Sequence, residues 1–142
     1  MIVREFATND INGISDLLNN ELGKKVNCDE LNSIVSDMLS DESYRIFVGE
    51  LEGEIVGFIG LHFGLAFEIS GKVMRIIALA VKEKNQHCGI GTMLIKKAEE
   101  CAKENRASVI GVNSGLQRLT AHSFYEKQGF FKKGYSFIKD VV

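Results

Sequence analysis

The chain has 142 residues, of which 45% are hydrophobic and 25% charged, and its net charge at neutral pH is −2. That length holds a single domain, 1–142, with a real core, and the composition is that of an ordinary globular chain. With no long basic block, no apolar run as long as a membrane span and no leader-like start in Met1-Ile2-Val3-Arg4-Glu5, the expectation is a cytoplasmic protein without nucleic-acid or membrane partners.

Residues 2–6 read as an opening strand. Thr8-Asn9-Asp10 offers N-caps for a helix whose apolar residues Ile11, Ile14, Leu17 and Leu18 recur at helical spacing, ending near Asn19-Asn20. After a polar loop through Gly23 and Lys24-Lys25, Asp29 caps a second helix with Leu31, Ile34, Val35 and Met38 on one side. From Tyr44 the period becomes that of strands. Tyr44–Leu51 and Ile55–Phe63 flank Glu52-Gly53-Glu54, the signature of an antiparallel hairpin.

Met74 to Val81 is a nearly unbroken apolar run, as in a strand buried on both faces. The charged turn Lys82–Asn85 follows, and then Gln86-His87-Cys88-Gly89-Ile90-Gly91-Thr92 opens a helix with Ile90, Leu94, Ala98, Cys101 and Ala102 on one face. Ser108–Asn113 is a further strand, parallel to the 74–81 strand because a helix joins them. Ser114-Gly115 breaks the chain. A helix from about Gln117 to Lys127 ends at Gly129, a left-handed C-cap, and Phe130–Lys133 and Tyr135–Val141 read as two closing strands.

The first turn of a helix leaves backbone amides unpartnered at the positive end of the dipole, which suits an anion. Gly89 and Gly91 let a phosphate approach the backbone there. The dinucleotide fingerprint lacks its third glycine, since Leu94 stands in that place, and the P-loop lacks its Gly-Lys-Ser/Thr, since the chain reads Gly91-Thr92-Met93. On this fragment alone, a plain strand-to-helix turn and an anion site stand level. The cysteines Cys28, Cys88 and Cys101 are odd in number and make no Cys-x-x-Cys pair. The histidines His62, His87 and His122 have no ligand spacing, so no metal is expected.

Gln86-x-x-Gly89-x-Gly91 after a buried strand resembles the acetyl-coenzyme A pyrophosphate loop of the GNAT superfamily of N-acetyltransferases. Phe124-Tyr125-Glu126-Lys127-Gln128-Gly129-Phe130 is similar to that family's Phe-Tyr-x-Lys-x-Gly-Phe segment. The resemblance is sharp over residues 74–130. It implies an α/β fold, a mixed and mostly antiparallel sheet flanked by helices in the order βααβββαβαββ.

It also implies chemistry. The backbone of Leu79, Ala80 and Val81 would bond the pantetheine arm of acetyl-CoA and polarise its thioester carbonyl. Gln86, His87, Cys88, Gly89, Ile90, Gly91 and Thr92 would hold the pyrophosphate, with Asn113 and Lys127 as further cofactor contacts. Tyr125 would protonate the departing thiolate, since a phenol with a pKa of about 10 keeps its proton at neutral pH. The acyl acceptor would be a primary amine of a small molecule or peptide, attacking directly in a ternary complex.

The run Ile76–Val81 has no carboxylate where many relatives carry one. Glu68 or His122 could serve as base, and Arg75 could bind an acidic group on the substrate. The acceptor pocket would draw on roughly 19–28 and 64–70. The alternative to an enzyme is an acyl-coenzyme A sensor or interaction module with the same fold. A small sheet with exposed edges also leaves homodimerisation open.

Overall fold

The computed structural model describes residues 1–142, and by internal contacts the chain falls into two compact units, Met1–Gly111 and Val112–Val142. No helix is long and apolar enough to cross a membrane.

The sheet is built on strands β1 (Ile2–Glu5), β2 (Tyr44–Leu51), β3 (Glu54–Gly64), β4 (Lys72–Val81) and the shorter β5 (Ala107–Val112), adjacent in that order. β1 to β4 are antiparallel to their neighbours. Glu52 and Gly53 both take positive φ, 52° and 78°. That mirror-image two-residue turn matches the twist of the strands it joins. β5 begins beside β4: the Lys72 amide donates to the Arg106 carbonyl at 3.1 Å, and the Ser108 hydroxyl donates to the Ser70 carbonyl. Such side-by-side starts are what the helical crossover between them requires.

Helices α1 (Ile11–Asn20) and α2 (Cys28–Leu39) cover one face, where Ile14, Leu17, Leu18, Leu31 and Val35 pack on Ile46, Val48, Phe58 and Ala80. The other face carries α3 (Ile90–Glu104), burying Ile90, Leu94, Ile95, Ala98, Cys101 and Ala102. The sheet buries Phe47, Ile59, Leu61, Phe63, Met74 and Ile76. Each strand thus alternates its side chains between two cores.

Neither helix start is capped as the sequence suggested. Asn27, not Asp29, caps α2, its Oδ1 accepting from the amides of Asp29 at 2.8 Å and Glu30 at 3.1 Å. α1 has no side-chain cap, because Asp10 is engaged elsewhere. It accepts two hydrogen bonds from the Arg4 guanidinium, at 2.7 and 2.9 Å, and one from the Ala7 amide at 2.8 Å. Arg4 also grips Glu50, at 2.8 and 3.2 Å, so one guanidinium ties β1, β2 and the entry to α1 together. Asp10 is 5% exposed, and the Arg4 bonds hold its carboxyl below the usual range.

Arg4→Met should therefore cost about 2 kcal/mol in denaturant unfolding at pH 7, since it strands a buried carboxylate. The sign with pH follows from the depressed Asp10 pKa. Its contribution is full above the unfolded carboxyl value of 3.8 and is lost as pH falls through the lower folded value. The gap between wild type and variant should close in acid; a gap that persists there would locate the loss in packing instead.

β4 is not buried on both faces. Arg75 is exposed, and Val73, Ile77, Ala78, Leu79 and Val81 are half-buried. A bulge is one reason: Gly60 pairs with Ala78 but Leu61 with Ile76, which leaves Ile77 as an extra residue. A Cβ on Gly60 would stand 3.3 Å from Ile77 Cγ1, so the Ile77 side chain lies over the Gly60 position.

In the second unit, α4 (Leu119–Lys127) ends as expected. Gly129, at φ 95°, donates to the Glu126 carbonyl at 3.1 Å, and the Phe130 amide donates to the Tyr125 carbonyl at 3.0 Å. This is the paired closure of a Schellman motif. The two closing strands are absent: residues 130–142 form no strand. Their apolar residues suit a strand, but Phe131, Phe137 and Ile138 are 80%, 95% and 95% exposed. A strand exists only where its backbone finds a partner.

Candidate active site

The start of α3 is fixed by the strands beneath it. Gly49 and Gly57 face each other across β2 and β3. A Cβ on either would lie 3.6 or 3.3 Å from Ile90 Cγ2, and one on Gly57 would also meet the Ala80 carbonyl oxygen at 3.0 Å. The paired glycines let Ile90, the first residue of α3, sit directly on the sheet. The helix start is thereby held against the end of β4.

Between β4 and α3 the chain makes a single tight turn at Glu83–Asn85 and enters the glycine loop. His87 takes φ 64° and Gly89 takes φ 85°. Gly89 is the left-handed residue before the helix, and a Cβ there would meet nothing within 4 Å. The open space lies in front of the helix, not in a packed turn. The first intrahelical bond runs from the Met93 amide to the Gly89 carbonyl, at 3.0 Å, so the amides of Ile90 and Gly91 precede the helical ladder. No acidic residue occupies the first turn of α3, which leaves the positive end of its dipole uncompensated.

The loop is braced from behind. Gln86 Nε2 donates to the Val81 carbonyl at 3.1 Å, the Lys82 amide to the Val56 carbonyl at 2.8 Å, and the Glu83 amide to Glu21 Oε1 at 3.1 Å. Lys82 and Lys84 both pair with Glu54. Cys88 is exposed, its thiol 3.6 Å from the Gln86 carbonyl. The arrangement can present oriented amides to an anion at the end of a strand.

The structure brings Leu79, Ala80, Val81 and the Gln86–Thr92 loop together. Glu68 is exposed in the connection between β3 and β4. The bulge at Ile77 and the glycine pair were missed, although glycines inside apolar strands, Gly49, Gly57 and Gly60, are the signal for close approach or a bulge.

In the second unit Tyr125 is 9% exposed. Its ring meets those of Phe124 and Phe130 edge-on, with centroids 5.4 and 5.6 Å away. Burial pushes the phenol above its ordinary value of 10.0, against a smaller lowering by Arg118. His122 Nε2 lies 2.8 Å from the Gly115 carbonyl oxygen. With the proton on Nε2 that contact is a donated bond, which leaves Nδ1 as the ring's acceptor. Asn113 and Lys127 are exposed.

The Acetyltransferase (GNAT) family model matches residues 12–130. Aminoalkylphosphonate N-acetyltransferase of Salmonella typhimurium is 29% identical over 126 residues, covering 89% of this chain and 79% of that protein. Human N-acetyltransferase 8 is 26% identical over 110 residues, 78% of this chain. This match spans about half of the human protein's length, 48%. A GNAT family acetyltransferase of Staphylococcus aureus superposes with a TM-score of 0.82 at 23% identity, covering 99% of this chain and 98% of that one. A family match over most of the chain, on a fold whose third helix opens behind a left-handed glycine, places the chain in the GNAT family of acetyltransferases.

Proposed function

We propose that this chain moves an acetyl group from acetyl-coenzyme A to the primary amine of a small molecule or peptide, by direct attack in a ternary complex. The observation that carries the reading is the start of α3, where open space at Gly89 fronts oriented amides with no acid in the first turn. In this reading Gln86–Thr92 hold the diphosphate of the cosubstrate, with Asn113 and Lys127 as further contacts. The backbone of Leu79–Val81 lines the path of its pantetheine arm. Acetyl-coenzyme A supplies an acyl group already activated as a thioester.

The chain supplies position and charge stabilisation. A backbone amide at the end of β4 donates toward the thioester oxygen, where negative charge collects as the amine attacks. Tyr125, neutral and buried, gives its proton to the departing sulfur. Glu68 or His122 would receive the proton of the amine. The named acceptor of the Salmonella relative, an aminoalkylphosphonate, supports a small primary amine as substrate. A cytoplasmic setting suits the exposed thiols of Cys28 and Cys88.

Calorimetry with coenzyme A should give binding heat. Free thiol should appear from acetyl-coenzyme A only when a pooled set of primary amines is added. An absence of heat, or thiol release that ignores the amine, would overturn the reading.

A further inference from the structure

We propose that Tyr44, His62 and Arg75 form a platform for an acidic group on the acceptor, so that the substrates are short-chain amines that also carry a carboxylate or a phosphonate. This rests on the acetyl-transfer reading above.

The three residues stand in one row across three strands. Tyr44 pairs directly with His62 between β2 and β3, and His62 with Arg75 between β3 and β4. Directly opposed residues of antiparallel strands share a face, and the rings of Tyr44 and His62 do touch, with centroids 4.5 Å apart. Alternation along β2 puts Tyr44 on the side of Ile46 and Val48, the α1/α2 face, yet all three lie outside the core packed there. Tyr44 and His62 are half-buried and Arg75 is exposed.

Arg75 is the only charged residue between Val73 and Val81, in an apolar strand flanked by β3 and β5. Its guanidinium enters no ion pair, whereas Arg4 is taken by Asp10 and Glu50 and Arg45 is held on the carbonyls of Glu42 and Tyr44. A free guanidinium beside a phenol and an imidazole offers a planar fork plus two further polar groups, which fits a carboxylate or a tetrahedral phosphorus oxyanion. A nearby acid is Asp41, whose carboxyl is held below the usual range by the Ser43 amide and hydroxyl, with a smaller contribution from His62. Its Oδ1 is occupied by the amide and hydroxyl of Ser43, at 2.9 and 2.8 Å.

Arg75 precedes the Ile77 bulge by two residues and Leu79 by four, about 13 Å at a strand's rise. A long arginine side chain and a short aminoalkyl acid together span that distance. An amine of the same length without an acidic group has nothing to offer the row.

The test is steady-state acetylation of n-propylamine, β-alanine and 2-aminoethylphosphonate, with coenzyme A binding followed by calorimetry. Wild type should favour at least one acid over n-propylamine by about tenfold or more in kcat/KM, and the two acids tell carboxylate from phosphonate. Arg75→Gln should collapse that ratio through KM, with coenzyme A binding reporting that the variant is folded. Arg75→Lys, which keeps the charge without the fork, should fall between. Equal use of n-propylamine and both acids by wild type, or a ratio unmoved in Arg75→Gln, would overturn the platform while leaving acetyl transfer intact. No heat with coenzyme A and no thiol with any amine would remove the acetyl-transfer reading and the platform together.

Discussion

Thr92→Glu is expected to weaken coenzyme A binding by about a hundredfold or more while leaving the protein folded. Thr92 is the third residue of α3, is exposed, and lies in a first turn that holds no acid. A glutamate there sits at the positive end of the helix dipole, worth about 0.3–1 kcal/mol in favour of the folded state. It is also the better helix former by a few tenths. For the helix alone, the substitution is an improvement.

For a bound diphosphate it is the reverse. A carboxylate about 4 Å from a phosphate oxygen is repelled by about 4 kcal/mol at the effective dielectric of a protein surface. Half of that already removes most of the affinity. Coenzyme A affinity should therefore fall while the helix still forms, with Thr92→Gln as the control for bulk without charge. An affinity that survives Thr92→Glu would mean that the loop holds no diphosphate.

Why the start of α3 was legible while other features were not comes down to the range of the forces involved. The glycine spacing, the buried stripe from Ile90 to Ala102 and the strand before it are local patterns, and period and turn chemistry report them directly. Asn27 and Asp29 are both good caps by composition, and the geometry of chain entry decides between them. Asp10, one of three candidate caps before α1, is claimed instead by Arg4, a partner on another element that local pattern does not show. The bulge at Ile77 depends on register against β3, which no single strand records. The segment after Gly129 has the residues of a strand but finds no neighbour to pair with, and propensity cannot supply one. The row Tyr44, His62 and Arg75 likewise exists only once three strands are aligned.

Tyr125→Phe should lower turnover by about a hundredfold or more, the contribution of a placed proton donor, while the KM for acetyl-coenzyme A changes little. The ring stays, so its edge-on contacts with Phe124 and Phe130 stay, and only the hydroxyl is lost. A large fall in stability would therefore point to a structural hydroxyl. The pH profile separates the two roles further. Burial raises the Tyr125 pKa above 10.0, so the donor keeps its proton across the neutral and mildly alkaline range, and its contribution is lost only as pH rises through that higher value. Folding follows the same sign: a phenol buried in its neutral form contributes its full stability below pH 10.0 and progressively less above it. In wild type, turnover should hold on the alkaline side until the phenol ionises; in Tyr125→Phe that decline should vanish from an already low rate. Unchanged turnover in the variant would take Tyr125 out of the mechanism and leave the thiolate to collect its proton from water.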